Sequence, residues 1–380
     1  MRKNIFIFLL PFLCFAQKQY NYENIKLNSP YLFYESKRQE QEIILSLIDA
    51  YFSKNLSLQE KTTFWKYNGE EIDVRGGDLH SIEEKAKIGS YTPTILSMLY
   101  IDEKYQIRVA WMGNTPEDDK VLATYNFLVN KDYQFENIFE NQINTFTKRK
   151  IRNLTFYYKN PKLFRKEDAK KTLKFNKEMA DFFELPEIDF SCFVLDSYPE
   201  QKHLRGFDFD TDMVIGGEYG GEVLLSINVI FSGNQSAYYP HEMVHLYTAE
   251  KVENKNHLMD EGIATYFGGT RGLNFSELMQ IFYSFLQKEN VDIYTMLNKG
   301  EFTVINTKAD SYYAFSALLC HTILEYHGKE KLFELLDSGN DREEFLCKIE
   351  ETFNIQPSEF HSFFLKELEK YIQHNKLAKR

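Results

Sequence analysis

His241-Glu242-Met243-Val244-His245 is the stretch that most restricts how this chain folds. Two histidines four apart on a helix project from one face, about one turn apart, so both imidazoles reach one metal ion. The glutamate between them is placed to act on water held at that metal. The segment is therefore expected to be helical, and Pro240 directly before it restricts where the helix starts. A proline inside a helix removes a hydrogen bond and clashes with the preceding turn. In the first turn the N–H it lacks would have been unpaired anyway. Gln235 or Ser236 is the expected cap of a helix beginning near Ala237, with Pro240 in its first turn.

A catalytic zinc site takes three protein ligands and keeps one position open, so a third ligand is expected from a second helix downstream. His257 fails the histidine-type spacing, which needs Gly at 248 and His at 251 where this chain has Thr248 and Lys251. Glu261 stands sixteen residues after His245, inside Leu258-Met259-Asp260-Glu261-Gly262-Ile263-Ala264-Thr265-Tyr266. His-Glu-x-x-His followed by Glu-Gly-x-Ala-x-Tyr resembles the gluzincin zinc metallopeptidases, and within them the branch that includes aminopeptidase N-like enzymes. The resemblance covers roughly Leu154 to the C-terminus. It implies a thermolysin-like zincin domain in which His241, His245 and Glu261 bind one zinc ion and Glu242 is the general base of peptide hydrolysis. Thermolysin-type relatives carry an aspartate four residues after the third ligand; Thr265 in that position places the chain nearer the aminopeptidase-like branch.

A third element extends the resemblance. That branch has a tyrosine opening a later helix, whose hydroxyl stabilises the tetrahedral intermediate. Tyr313-Ala314-Phe315-Ser316-Ala317-Leu318-Leu319 matches its position, with Tyr312 as the adjacent rival and Ser316 where the family often has glycine. The Gly-x-Met-Glu-Asn signature that holds a substrate's free amine is missing; Gly220-Gly221-Glu222-Val223 stands in its region, with Glu222 and Glu218 as the available carboxylates. Asp260 and Tyr266 are expected to orient the histidines. Val223 to Ile230 is expected to hold the substrate backbone as an added strand.

Composition bounds the rest. The chain has 380 residues, enough for two domains, and 33 Phe and 25 Tyr supply real cores. A formal charge of −11 argues against a nucleic-acid binder working by phosphate neutralisation. Arg2 and Lys3, then the apolar run Ile5 to Phe15 ending at Ala16, read as a signal peptide over residues 1–16. The run is too short to span a membrane, which takes about 20 residues. A periplasmic or secreted chain is expected, with a lipid anchor at Cys14 as the competing reading. Cys192, Cys320 and Cys347 then remain, without the spacing of a disulfide framework; one bridge, Cys320 to Cys347, competes with three free thiols.

Taken in order, residues 17–150 read as an N-terminal accessory domain of α+β class. It consists of a helix from Tyr31 to about Lys54, then strands at Thr94 to Tyr100, Gln106 to Met112, Val121 to Val129 and Gln134 to Phe139, a curved antiparallel sheet. A boundary is placed near the basic patch Lys148 to Arg152. Residues 151–380 read as strands at Leu154 to Tyr158, Phe190 to Leu195, Met213 to Ile215 and Val223 to Ile230, a helix at Glu167 to Phe183, and then helices from Ala237 to Lys376. His321 and His327 read as structural. Two functions stay open: an exported zinc peptidase acting on a peptide or protein substrate, endo or exo undecided, or a non-catalytic binding protein that retains the fold.

Overall fold

The computed structural model describes residues 22–29, 34–67, 76–114, 120–211, 213 and 220–378. The segment 1–16 with Cys14, the carboxylate of Glu218, and most of the strand expected at Met213 to Ile215 lie outside these residues. The architecture is mixed α and β, in two compact units that divide after Glu140, with Arg205–Thr211 belonging to the first.

In the first unit, α1 (Arg38–Tyr51) buries Ile44, Leu45, Ile48 and Tyr51, the stripe that helical periodicity selects. Strands β2 (Tyr91–Ile101), β3 (Lys104–Gly113), β4 (Val121–Val129) and β5 (Phe135–Asn137) pair in sequence as an antiparallel meander. The short β1 (Lys26–Leu27) lies parallel to β2. Register shifts at Ile95/Ser97 and Trp111/Met112 mark bulges, which bend and twist a sheet. Strand Phe207–Asp210 returns to pair with β4. Between α1 and β2, where the sequence reading names no element, lies α2 (Gly77–Ile88); its Leu79, Ile82 and Ala86 are buried, and Ile88 at its end is exposed.

The second unit carries the sheet β6 (Thr147–Ile151), β7 (Leu154–Tyr158), β8 (Ser191–Val194), β9 (Gly220–Leu224) and β10 (Val229–Gly233), in the spatial order β9-β10-β8-β7-β6. The three inner strands are mutually parallel and buried along their whole length, so they read as continuous apolar runs instead of alternating ones. The basic patch is not a linker: Lys148 to Ile151 lie in β6, an exposed outer strand, where charge guards a free edge against mispairing.

One expected strand is corrected. Val223 to Ile230 is two strands of a hairpin, joined by a 3-10 turn at Leu225–Ile227 and by Asn228 in the left-handed region (φ 49°). Asparagine tolerates that conformation better than most residues, and this allows the reversal. The outer edge is consequently β9, antiparallel to β10.

Apart from a two-stranded hairpin, Val304–Asn306 with Ala309–Asp310, which interrupts the run read as helical from Ala237 to Lys376, helices fill the remainder of this unit. They are α3 (Lys166–Phe183), α4 (Tyr198–Arg205), α5 (Pro240–Lys251), α6 (His257–Gly268), α7 (Phe275–Lys288), α8 (Ile293–Lys299), α9 (Ser311–Leu336, broken at Gly328), α10 (Arg342–Phe353) and α11 (Pro357–Ala378). One apolar core joins the inner strands to α3, α5, α6 and α9. The three described cysteines are free: Cys192 and Cys320 are buried and Cys347 is exposed, so the bridge from Cys320 to Cys347 is absent.

Candidate metal centre

Helix α5 starts at Pro240 itself, in the first helical position, three residues later than the sequence suggested. Proline costs about 3 kcal/mol inside a helix but little here, because its missing N–H would have had no helical partner. Neither Gln235 nor Ser236 caps the helix. Ser236 instead accepts from the Tyr238 N–H at 3.1 Å and donates to Asp168 at 2.9 Å, which fixes the chain entering the helix.

The second helix is held at both ends of its functional stretch. Asn256 caps α6 by accepting from the Met259 N–H at 3.0 Å. Further along, Gly262 lies against α9 so closely that a Cβ there would meet the Ser316 carbonyl oxygen at 2.4 Å. Gly268 lies against α5, where a Cβ would be 2.4 Å from the His241 backbone nitrogen. These two glycines let three helices approach at backbone distance, and that approach carries Glu261 to the histidines.

The result is one cluster. Nitrogens of His241 and His245 and a carboxylate oxygen of Glu261 all lie within 4.8 Å of one another. His241 Nε2 is 3.2 Å from Glu261 Oε2, and His245 Nε2 is 3.8 Å from Glu261 Oε1. Tetrahedral ligation with bonds of about 2.0–2.1 Å separates ligand atoms by roughly 3.3 Å, so the donor set fits a zinc ion. The opposite ring nitrogens are also assigned: His241 Nδ1 donates to the Gly269 carbonyl at 2.7 Å and His245 Nδ1 to Asp260 Oδ1 at 2.9 Å. Each bond fixes the tautomer that leaves Nε2 free to ligate. Asp260 is itself held by Lys255 at 2.7 Å and by the Thr248 hydroxyl.

The charges hold one another in place. Burial works against the charged forms of His245 and Asp260, but their mutual bond wins: the imidazole is pushed up to about 9 and the carboxyl held well below its usual range. Glu261 is likewise lowered; its bond to His241 and the charges of both histidines outweigh its burial. Glu242 moves the other way. Burial dominates and raises its carboxyl, against the pull of His241 and His245.

A cleft of about 470 Å³ reaches this cluster at His241 and is lined also by Glu242, Tyr239, Tyr313 and the backbone of Gly220 and Gly221 on β9. The Tyr313 ring lies 6.2 Å from that of His241. Tyr312 packs edge-on to Phe302 at 4.8 Å and is not among the residues lining the cleft, although burial and then the charges of Glu261 and Asp260 raise its hydroxyl too. Burial pushes the Tyr313 hydroxyl up to about 12, with Glu261 adding to the rise, so it stays a proton donor across the physiological range.

One expected role is corrected, and the carboxylate of Glu222 is located. Tyr266 packs against Phe275 at 4.9 Å and His321 at 5.9 Å, not against the candidate ligands His241 and His245. Glu222 is engaged by Gln201 at 3.0 Å and Lys202 at 3.3 Å, both on α4. Side chains alternate along a strand, and Gly221, its neighbour, is the residue that faces Tyr239, so Glu222 points away from that ring. Sequence reasoning missed the Gly269 carbonyl and Arg271, which also lines the cleft. His257 is exposed and opens α6, His321 sits among Phe275, Tyr266 and Tyr371, and His327 packs on Phe353. No protein-family model matches the chain, and no curated protein matches its sequence.

Proposed function

We propose that the protein is a zinc-dependent metallopeptidase that hydrolyses peptide bonds. The observation that carries this reading is the convergence of His241, His245 and Glu261 on one point, with Glu242 on the same helix opening into the same cleft. The motif resemblance to gluzincins agrees with it, as does a sheet edge beside the site. His241, His245 and Glu261 would hold the zinc. What the bound zinc contributes is Lewis acidity, which lowers the pKa of water toward about 7 and polarises a carbonyl.

The chain's own residues account for the rest. Glu242, its carboxyl raised by burial, takes the proton of the attacking water and passes it to the leaving amine. Tyr313, protonated at working pH, donates a hydrogen bond to the oxygen that gains charge at the scissile carbonyl. Among the described residues strand β9 pairs only with β10, and at Gly220 and Gly221 its backbone carries no side chain of its own beside the cleft. An extended peptide adds to such an edge by main-chain hydrogen bonds, which bind with modest sequence preference.

The test is metal removal. Dialysis against a strong chelator is expected to abolish cleavage of a mixed peptide library, and one equivalent of zinc to restore it. Cleavage that survives in demonstrably zinc-free protein contradicts the reading.

A further inference from the structure

We propose that Arg271 selects the substrate by binding a carboxylate, either the peptide's C-terminus or an aspartate or glutamate side chain; this rests on the peptidase reading. Arg271 lines the same cleft as His241, Glu242 and Tyr313. Its guanidinium carbon lies 6.0 Å from the centre of the Tyr313 ring, the ring that also flanks His241. Among the described residues it has no ion-pair or hydrogen-bond partner, in a chain whose acids outnumber its bases by 11. Of the described carboxylates at the site, Glu261 is bonded to the histidines and Asp260 to His245, Lys255 and Thr248, and Glu242 lines the cleft as the proposed base.

The backbone presents this side chain deliberately. Thr270 and Leu273 exchange hydrogen bonds of 2.9 and 2.8 Å, closing a two-residue turn in which Arg271 (φ 46°) and Gly272 (φ 79°) are both left-handed. Glycine, asparagine or aspartate is the usual occupant of such positions, and a long cation is an unfavourable choice on backbone grounds alone. The same loop contributes the Gly269 carbonyl that orients His241, so the guanidinium is tied to the site by a short, closed turn.

Charge then indicates which end of a peptide is recognised. Of the two acids available to hold a free amine, Glu222 is engaged by Lys202 and Gln201, and Glu218 lies outside the described residues. Among the described residues lining the cleft, Arg271 is the cation left without a carboxylate partner, and guanidinium pairs with carboxylate through two parallel hydrogen bonds. Because both the guanidinium and the His241 ring flank Tyr313, they lie within about 12 Å, the reach of three to four extended residues. Cleavage should therefore fall within about three residues of the recognised carboxylate.

The experiment uses full-length zinc-loaded protein and two matched peptide pairs, one free acid against C-terminal amide, the other internal Glu against Gln. The wild type is expected to favour the carboxylate member of one pair by roughly 10- to 100-fold in kcat/KM, and the pair that responds identifies the source. Arg271→Gly suits the left-handed turn and should fold, yet bring that ratio near one; Arg271→Lys should keep part of it. A wild-type ratio near one in both pairs, or a ratio unchanged in Arg271→Gly, overturns the proposal while leaving peptide cleavage intact. If no peptide is cleaved, fluorescence anisotropy with the same pairs on the Glu242→Gln protein separates the two readings. Carboxylate preference lost in Arg271→Gly then upholds recognition without hydrolysis, and absence of preference overturns it.

Discussion

His245 Nδ1 lies 2.9 Å from Asp260 Oδ1, and Asp260 is the residue immediately before the third candidate ligand, Glu261. One turn of helix thus supplies a candidate ligand and the group that orients another candidate ligand. Asp260→Asn keeps the shape and removes the charge. Zinc affinity, measured by competition with a chromophoric chelator, is expected to fall about 10- to 100-fold. Unchanged affinity would show that the His245 contact does not tune the site.

Tyr313 and Tyr312 are neighbours with different surroundings, His241 and the cleft for the first, Phe302 for the second. Tyr313→Phe removes one donor to the developing oxyanion, so kcat should fall about 10²- to 10³-fold with zinc content unchanged. Tyr312→Phe should alter kcat by no more than a few-fold. The reverse pattern in steady-state kinetics would assign the hydroxyl to the wrong residue.

Much of the site was legible because its signals are local. The i, i+4 histidines require a helix, and Glu261 and Asp260 sit within one motif. What escaped has physical causes. The Gly269 carbonyl is a backbone atom delivered by a left-handed turn (φ 74°), and no side chain announces it. The hairpin reversal depends on Asn228, a single residue inside an apolar run. Helix α2 has too few apolar residues for a clear period, and its burial comes from tertiary packing. Tyr266 was grouped with the ligands by sequence proximity, yet its ring turns toward Phe275 and His321. Thr265 is fully buried with no hydrogen-bond partner for its hydroxyl among the described residues; the acceptors that orient the histidines come instead from Asp260 and Gly269.

The first unit makes a separate pH prediction. Glu136 is buried, which raises its carboxyl, but hydrogen bonds from Lys104, Asn130 and Lys66 outweigh burial and lower it below its ordinary value. A lowered carboxyl stabilises the fold above its unfolded pKa, about 4.3, and that contribution is lost as pH falls through the folded value. Glu136→Gln should therefore cost about 1–3 kcal/mol at pH 7, and less at pH 3.5. Trp65 and Trp111, the chain's two tryptophans, both belong to this unit, so their fluorescence during urea unfolding reports it. A deficit that is the same at both pH values would contradict the assignment.

In the proposed reaction Glu242 moves the proton of a zinc-assisted hydrolysis. The most direct measurement is peptide turnover by Glu242→Gln protein whose zinc content has been determined on the same sample. Turnover is expected to drop by about 10²- to 10⁴-fold, with zinc retained near one per chain. Wild-type turnover in that zinc-loaded variant would contradict the account.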